Sequence, residues 1–146
     1  MKRVLVGMAM ALVTAAAAVA QLSAQAAQPA AGTSLGSITL RQAVLADGKP
    51  LAAGTYQVRL TADEPKPGVG QSPNAERYVE FVRGGKVVGR EVASLVSAAD
   101  LPQVADGPRP ASGASRVELL KGNDYVRVWI NRGGMNYILH LPPSKS

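Results

Sequence analysis

Three side chains near the C-terminus alternate along the sequence in a pattern that suits ligand binding. Tyr125, Arg127 and Trp129 are each separated by one residue, and Trp129 is the only tryptophan in the chain. In a β-strand they share one face, with the apolar residues of 126–130 on the other. If the apolar face belongs to the core, the sequence predicts a binding platform of aromatic rings beside a cation, suited to sugar rings or a partner's side chains. The alternative is a tryptophan that is covered by a loop or packed in the fold while Arg127 extends to solvent.

Serine, histidine and carboxylate side chains also occur, but not at spacings typical of a catalytic site. His140 is the only histidine, and its neighbours Leu139 and Leu141 place it on the face of a strand that points away from the core. No serine lies in a Gly-x-Ser-x-Gly turn, the arrangement that exposes the nucleophile of many hydrolases. Acidic neighbours such as Asp63 and Glu64 lie in a predicted loop. We therefore predict no catalytic residue, and a protein that is not an enzyme.

Metal, cofactor and nucleic-acid binding have no support in the sequence either. The chain has no cysteine, and one histidine cannot supply the several nitrogen or sulfur ligands of a zinc site. We expect His140 to be a surface residue, with no metal and no cofactor. The net charge is +6, from 16 Lys and Arg against 10 Asp and Glu, but acidic residues are interspersed among the basic ones. Nucleic-acid binding is not predicted, because it needs several cations in one patch.

The N-terminus has the three-part pattern of a secretory signal peptide. Lys2 and Arg3 form a positive start, residues 4–20 are almost entirely apolar, and small residues allow cleavage before Ala27 or before Gln21. The alternative is an uncleaved anchor, although the apolar run is alanine-rich and short for a spanning helix. Cleavage removes two basic residues, which leaves a net charge of +4 and no membrane span. The predicted organisation is, in chain order, a signal peptide (1–26), a flexible leader (27–36) and a β domain (37–146).

Short apolar runs separated by glycine and proline predict an all-β domain after the leader. About seven strands are expected, and no segment of the β domain has the apolar spacing of a helix. We predict a single antiparallel β-sandwich whose last three strands form a meander, with a small open β-barrel as the alternative. The two longest connections, 63–76 and 98–114, are predicted loops. The predicted strands are 38–45, 55–62, 77–83, 86–96, 116–120, 125–130 and 137–141.

One segment resembles a phrase found in secreted bacterial β-sandwich modules. Residues 47–58 form a turn, Asp-Gly-Lys-Pro, followed by Leu-x-x-Gly-x-Tyr-x-Val. This is similar to the entry into a strand in carboxypeptidase-regulatory-like and bacterial immunoglobulin-like modules. The resemblance implies a sandwich in which Gly54 allows a bend and Tyr56 and Val58 begin a buried face. It implies no activity.

These observations predict an exported, non-enzymatic module that binds a protein or a component of the cell envelope. The expected location is the periplasm or the exterior of the cell. Two alternatives remain at this point: an enzyme or enzyme accessory that acts on an envelope polysaccharide through loop carboxylates, and a structural envelope protein. The enzyme alternative requires loops 63–76 and 98–114 to meet at one end of the domain and to enclose acidic side chains in a cleft.

Overall fold

The computed structural model describes residues 30–71 and 75–145 of the chain. The predicted signal peptide and residues 27–29 of the predicted leader lie outside these ranges. The strands are β1 (Ser34–Leu40), β2 (Val44–Ala46), β3 (Lys49–Leu51), β4 (Gly54–Leu60), β5 (Glu76–Arg83), β6 (Lys86–Ser97), β7 (Ser115–Leu119), β8 (Val126–Arg132) and β9 (Met135–Leu141). One short α-helix, α1 (Leu101–Val104), and one 3-10 turn, Lys121–Asn123, complete the described part of the chain. None of its helices is long and apolar enough to cross a membrane.

Seven of the strands form one antiparallel sheet that curls until its two edges adjoin. The order across the sheet is β1-β4-β5-β6-β9-β8-β7. The edge strands β1 and β7 lie beside each other, and the Ser115 hydroxyl donates a hydrogen bond of 3.2 Å to the Ser37 carbonyl across the seam. The all-β class and the C-terminal meander are confirmed. The sheet forms a small, nearly closed barrel, which is the alternative to the predicted sandwich.

Alternating apolar residues fill the interior of the barrel. In β4, Tyr56, Val58 and Leu60 are buried, while the residues between them are exposed, as the period of two predicts. The ring of Phe81 on β5 meets Tyr56 edge-on, with ring centroids 6.2 Å apart. The predicted apolar face of β8, formed by Val126, Val128 and Ile130, belongs to this same core.

Two Gly-Gly pairs make the tight hairpin turns that the sequence predicts. Gly84 and Gly85 have φ of 58° and 75° and connect the paired residues Arg83 and Lys86. Gly133 and Gly134, with φ of 61° and 77°, connect β8 to β9 in the same way. Two consecutive residues with positive φ match the twist of a hairpin, and glycine adopts this conformation without steric strain.

The β2–β3 hairpin fills the space where β6 and β9 diverge. β9 pairs with β6 only at Ser94–Ser97, and β2 contacts both strands beyond that point. Leu51 of β3 packs so closely on β6 that a Cβ at Gly89 would lie 3.3 Å from the Leu51 Cδ1. The Leu45 amide also bonds to the Pro142 carbonyl at 2.7 Å. The hairpin therefore closes one end of the core.

The structure corrects the predicted start of the domain. β1 begins at Ser34 and ends at Leu40, so the last residues of the predicted leader belong to a strand. Leu35 is buried in the core, and the Gly32 amide bonds to the Leu60 carbonyl at 2.7 Å. Serine and glycine around Leu35 obscure the alternation in the sequence. The predicted strand 38–45 is likewise two strands, because the chain turns between β1 and β2.

Candidate functional site

β8 places the three candidate residues on the outer face of the barrel, with different exposure. Arg127 and Trp129 lie within β8, whereas Tyr125 immediately precedes it. Their side chains point away from the core, so the predicted register of this strand is confirmed. Tyr125 is 44% exposed, Arg127 8% and Trp129 2%. Of the proposed platform, the tyrosine is accessible and the tryptophan is covered.

Residues 98–114 cover Trp129. The connection between β6 and β7 crosses the outer face of the meander, and α1 inserts Leu101 beside the indole ring. Trp129, Leu101, Val96 and Ile138 form an apolar cluster separate from the main core. The indole N–H donates a hydrogen bond of 3.0 Å to the Asn136 Oδ1. The loop-covered alternative is therefore the arrangement found. The helix is a single turn that the sequence pattern did not predict.

The part of this connection that follows α1 is held by its main-chain carbonyl groups. Side chains on β7 and β8 donate to every second carbonyl of residues 106–110. The hydrogen bonds are Arg127 Nη2 to Asp106 at 2.7 Å, Arg116 Nη1 to Pro108 at 3.1 Å, and Asn131 Nδ2 to Pro110 at 2.9 Å. The segment bends at Gly107, whose φ is 104°, and the outer face holds residues 106–110 through these carbonyl groups and the buried Pro110 side chain.

Arg127 is fixed in place by an ion pair across β7 and β8. Glu118 is its register partner, and the carboxylate accepts hydrogen bonds from Nε, at 2.7 Å, and from Nη2. The guanidinium also lies 5.3 Å from the centre of the Trp129 ring. The expectation that Arg127 extends to solvent is wrong, because Glu118 and the Asp106 carbonyl hold it against the sheet.

Tyr125 and His140 form an exposed aromatic pair at the end of the meander. Their rings meet edge-to-face with centroids 6.1 Å apart. His140 is exposed between the fully buried Leu139 and Leu141, as the sequence predicts. Partial burial lowers the pKa of His140 below its ordinary value of 6.5, and the nearby Arg127 guanidinium lowers it further.

Two clefts adjoin these residues. One, of about 390 Å³, lies between Trp129 and the connection that covers it, and Leu101, Pro102 and Arg109 contribute to its walls. The other, of about 430 Å³, is at the end of the barrel, where Leu119 and Pro143 contribute. Leu119 is a large apolar side chain that is 47% exposed to solvent.

Two acidic residues of the long loops, Asp63 and Asp100, have polar partners. Both loops leave the same end of the barrel, but residues 98–114 run along its outer face. The Asp100 carboxylate accepts a 2.7 Å hydrogen bond from the Ser97 hydroxyl, and the Asp63 carboxylate lies 3.9 Å from Arg90. Among residues 30–71 and 75–145, no three histidine, aspartate or glutamate side chains are grouped so that they could hold a metal ion.

The sequence pattern did not identify Arg116 and Asn131, two residues that hold the β6–β7 connection. Asn131 continues the spacing of Tyr125, Arg127 and Trp129 by one more step, so the alternation could have identified it. Arg116 gives no such signal, because its partner is a main-chain carbonyl group. Comparison with protein-family models, curated proteins and solved structures finds no match for this chain.

Proposed function

We propose that this protein is an exported, non-enzymatic β module that binds a protein or a component of the cell envelope. The observation that carries the proposal is the exposed Tyr125–His140 pair, set beside a fixed arginine at the end of the meander. The sequence pattern of the N-terminus supports export. N-terminal sequencing of the extracytoplasmic protein should find a start near Ala27, whereas an intact Met1 in the membrane fraction would favour the anchor.

The aromatic pair has the properties of a contact surface that is ready to bind. His140 lies in the paired strand β9, and the Tyr125 carbonyl, next to β8, accepts a hydrogen bond of 2.9 Å from the Leu120 amide. Arg127, the register partner of His140, is held by Glu118, so little conformational freedom is lost on binding. Tyrosine combines a large apolar surface with a polar group and is enriched among the residues that dominate binding energy. The exposed Leu119 and the groove of about 430 Å³ lie at the same end of the barrel. A partner can therefore bury apolar surface next to the tyrosine.

Site-specific photo-crosslinking in producing cells tests the proposal. A photoreactive phenylalanine at position 125 should give a discrete adduct with one envelope protein or glycan. The control is the same residue at position 69, because Val69 is fully exposed but lies in a loop away from the meander. Adducts at position 125 that are absent, or the same as those at position 69, would contradict a binding role for this surface.

A further inference from the structure

We propose that the outer face of the meander is a groove for a proline-containing peptide of the partner that bends at a glycine, and that residues 101–110, which bend at Gly107, occupy it in the free protein. We call residues 101–110 the strap, and the surface formed by Arg116, Arg127, Trp129 and Asn131 the strap groove. The inference rests on the proposed function and names the chemistry of the partner.

The hydrogen bonds of the groove are those of a general peptide site. Its three donors bind the main-chain carbonyl groups of residues 106, 108 and 110, on both sides of the bend at Gly107, and a peptide with the same glycine bend presents these groups at the same spacing. Pro108 and Pro110 have no N–H group, so the strap leaves no donor at these positions that needs a partner. Proline also favours the extended conformation before binding, which lowers the entropy cost of ordering. Grooves lined by aromatic residues recognise proline-rich segments in this way.

The side chains of the strap are buried mainly at its ends. Leu101 and Pro110 are buried, whereas most residues between them are exposed. A segment with few buried side chains opens at low free-energy cost. The cleft of about 390 Å³ beside Trp129 shows that the strap does not fill the groove. The indole ring is only 2% exposed beneath the strap, so a peptide that takes the place of the strap can cover it in the same way.

A peptide added in trans tests whether the groove binds this chemistry. The probe is a fluorescent peptide of residues 100–111, and the receptor is the mature protein with residues 101–111 replaced by a Gly/Ser chain of equal length. The peptide should bind this variant at least about tenfold more tightly than the wild type, where the tethered strap competes at high effective concentration. A peptide with glycine in place of its prolines should bind more weakly. Adding Asn131→Ala to the variant should weaken binding by about tenfold, through loss of one hydrogen bond.

Failure of the peptide to bind the folded variant would overturn the proposal. Circular dichroism checks the fold, and Pro110→Gly, which loosens only one end of the strap, replaces the variant if it does not fold. Equal binding of the proline-free peptide would also overturn the proposal.

Crosslinking at position 125 separates the peptide groove from the proposed binding function. More adduct in the Gly/Ser variant than in the wild type supports the peptide groove. The same amount of adduct in both proteins overturns the groove but is consistent with the proposed binding function. No adduct in either protein contradicts the binding function.

Discussion

The charge of His140 should respond to mildly acidic pH through the position of this residue in the fold. Its pKa is lowered by burial first and by Arg127 second. A lowered pKa in the folded state means that protonation favours the unfolded chain. The contribution of His140 to the free energy of unfolding is therefore complete above pH 6.5 and is lost as the pH falls through the lowered pKa.

Proton NMR measures this directly, because the chain has a single histidine. The imidazole signals should titrate with a midpoint below 6.5. In Arg127→Ala the midpoint should rise but stay below 6.5, since burial is the larger cause. A wild-type midpoint at or above 6.5 would contradict the placement of His140.

Arg127 should matter for stability more than the sequence alone indicates. A surface arginine at this position predicts a mild effect of Arg127→Ala. The structure predicts a loss of about 1–3 kcal/mol instead, because Glu118 and the Asp106 carbonyl lose a charged donor. The matched control is Arg59→Ala, which removes an Arg–Glu pair from an exposed part of the sheet and should cost about 0–1 kcal/mol. Urea unfolding that gives both variants the same cost would show that Arg127 is not held as described.

At the scale of the strand, β8 separates a core face from an outer face that the strap covers. Val128→Asp should unfold the domain, since an unpaired carboxylate in the core costs several kcal/mol, comparable to the stability of a small domain. Val87→Asp is the matched control, because Val87 is 50% exposed and should change the stability by no more than about 1 kcal/mol. Thermal melts that give similar losses for both variants would contradict the register of β8.

The sequence predicts those elements whose pattern is local. Alternation identifies β4 through Tyr56, Val58 and Leu60, and the two Gly-Gly pairs identify two hairpins. α1 cannot be predicted in this way, because one turn shows no helical period. The burial of Trp129 by the β6–β7 connection cannot be predicted from the pattern either, since it depends on where this connection crosses the sheet. The hydrogen bond from Arg116 to a carbonyl group cannot be predicted from the sequence, whereas the position of Asn131 follows the spacing of Arg127 and Trp129.

For the whole molecule, the curled sheet gives the protein two apolar clusters with different roles. The interior cluster forms the barrel and, with no cysteine in the chain, supports it without disulfides. The outer cluster around Trp129 depends on the strap. We infer that opening the strap exposes the outer cluster while the barrel remains folded, as a binding module requires.

Quenching of tryptophan fluorescence by acrylamide tests this account most directly, because Trp129 is the only tryptophan. In the mature wild type, the emission should be blue-shifted and almost inaccessible to the quencher, as expected of a side chain that is 2% exposed. In the Gly/Ser variant, the emission should shift to the red and become readily quenched, while circular dichroism still shows an intact β domain. Ready quenching in the wild type, or loss of the β signal in the variant, would contradict a barrel that carries a covered and separable binding face.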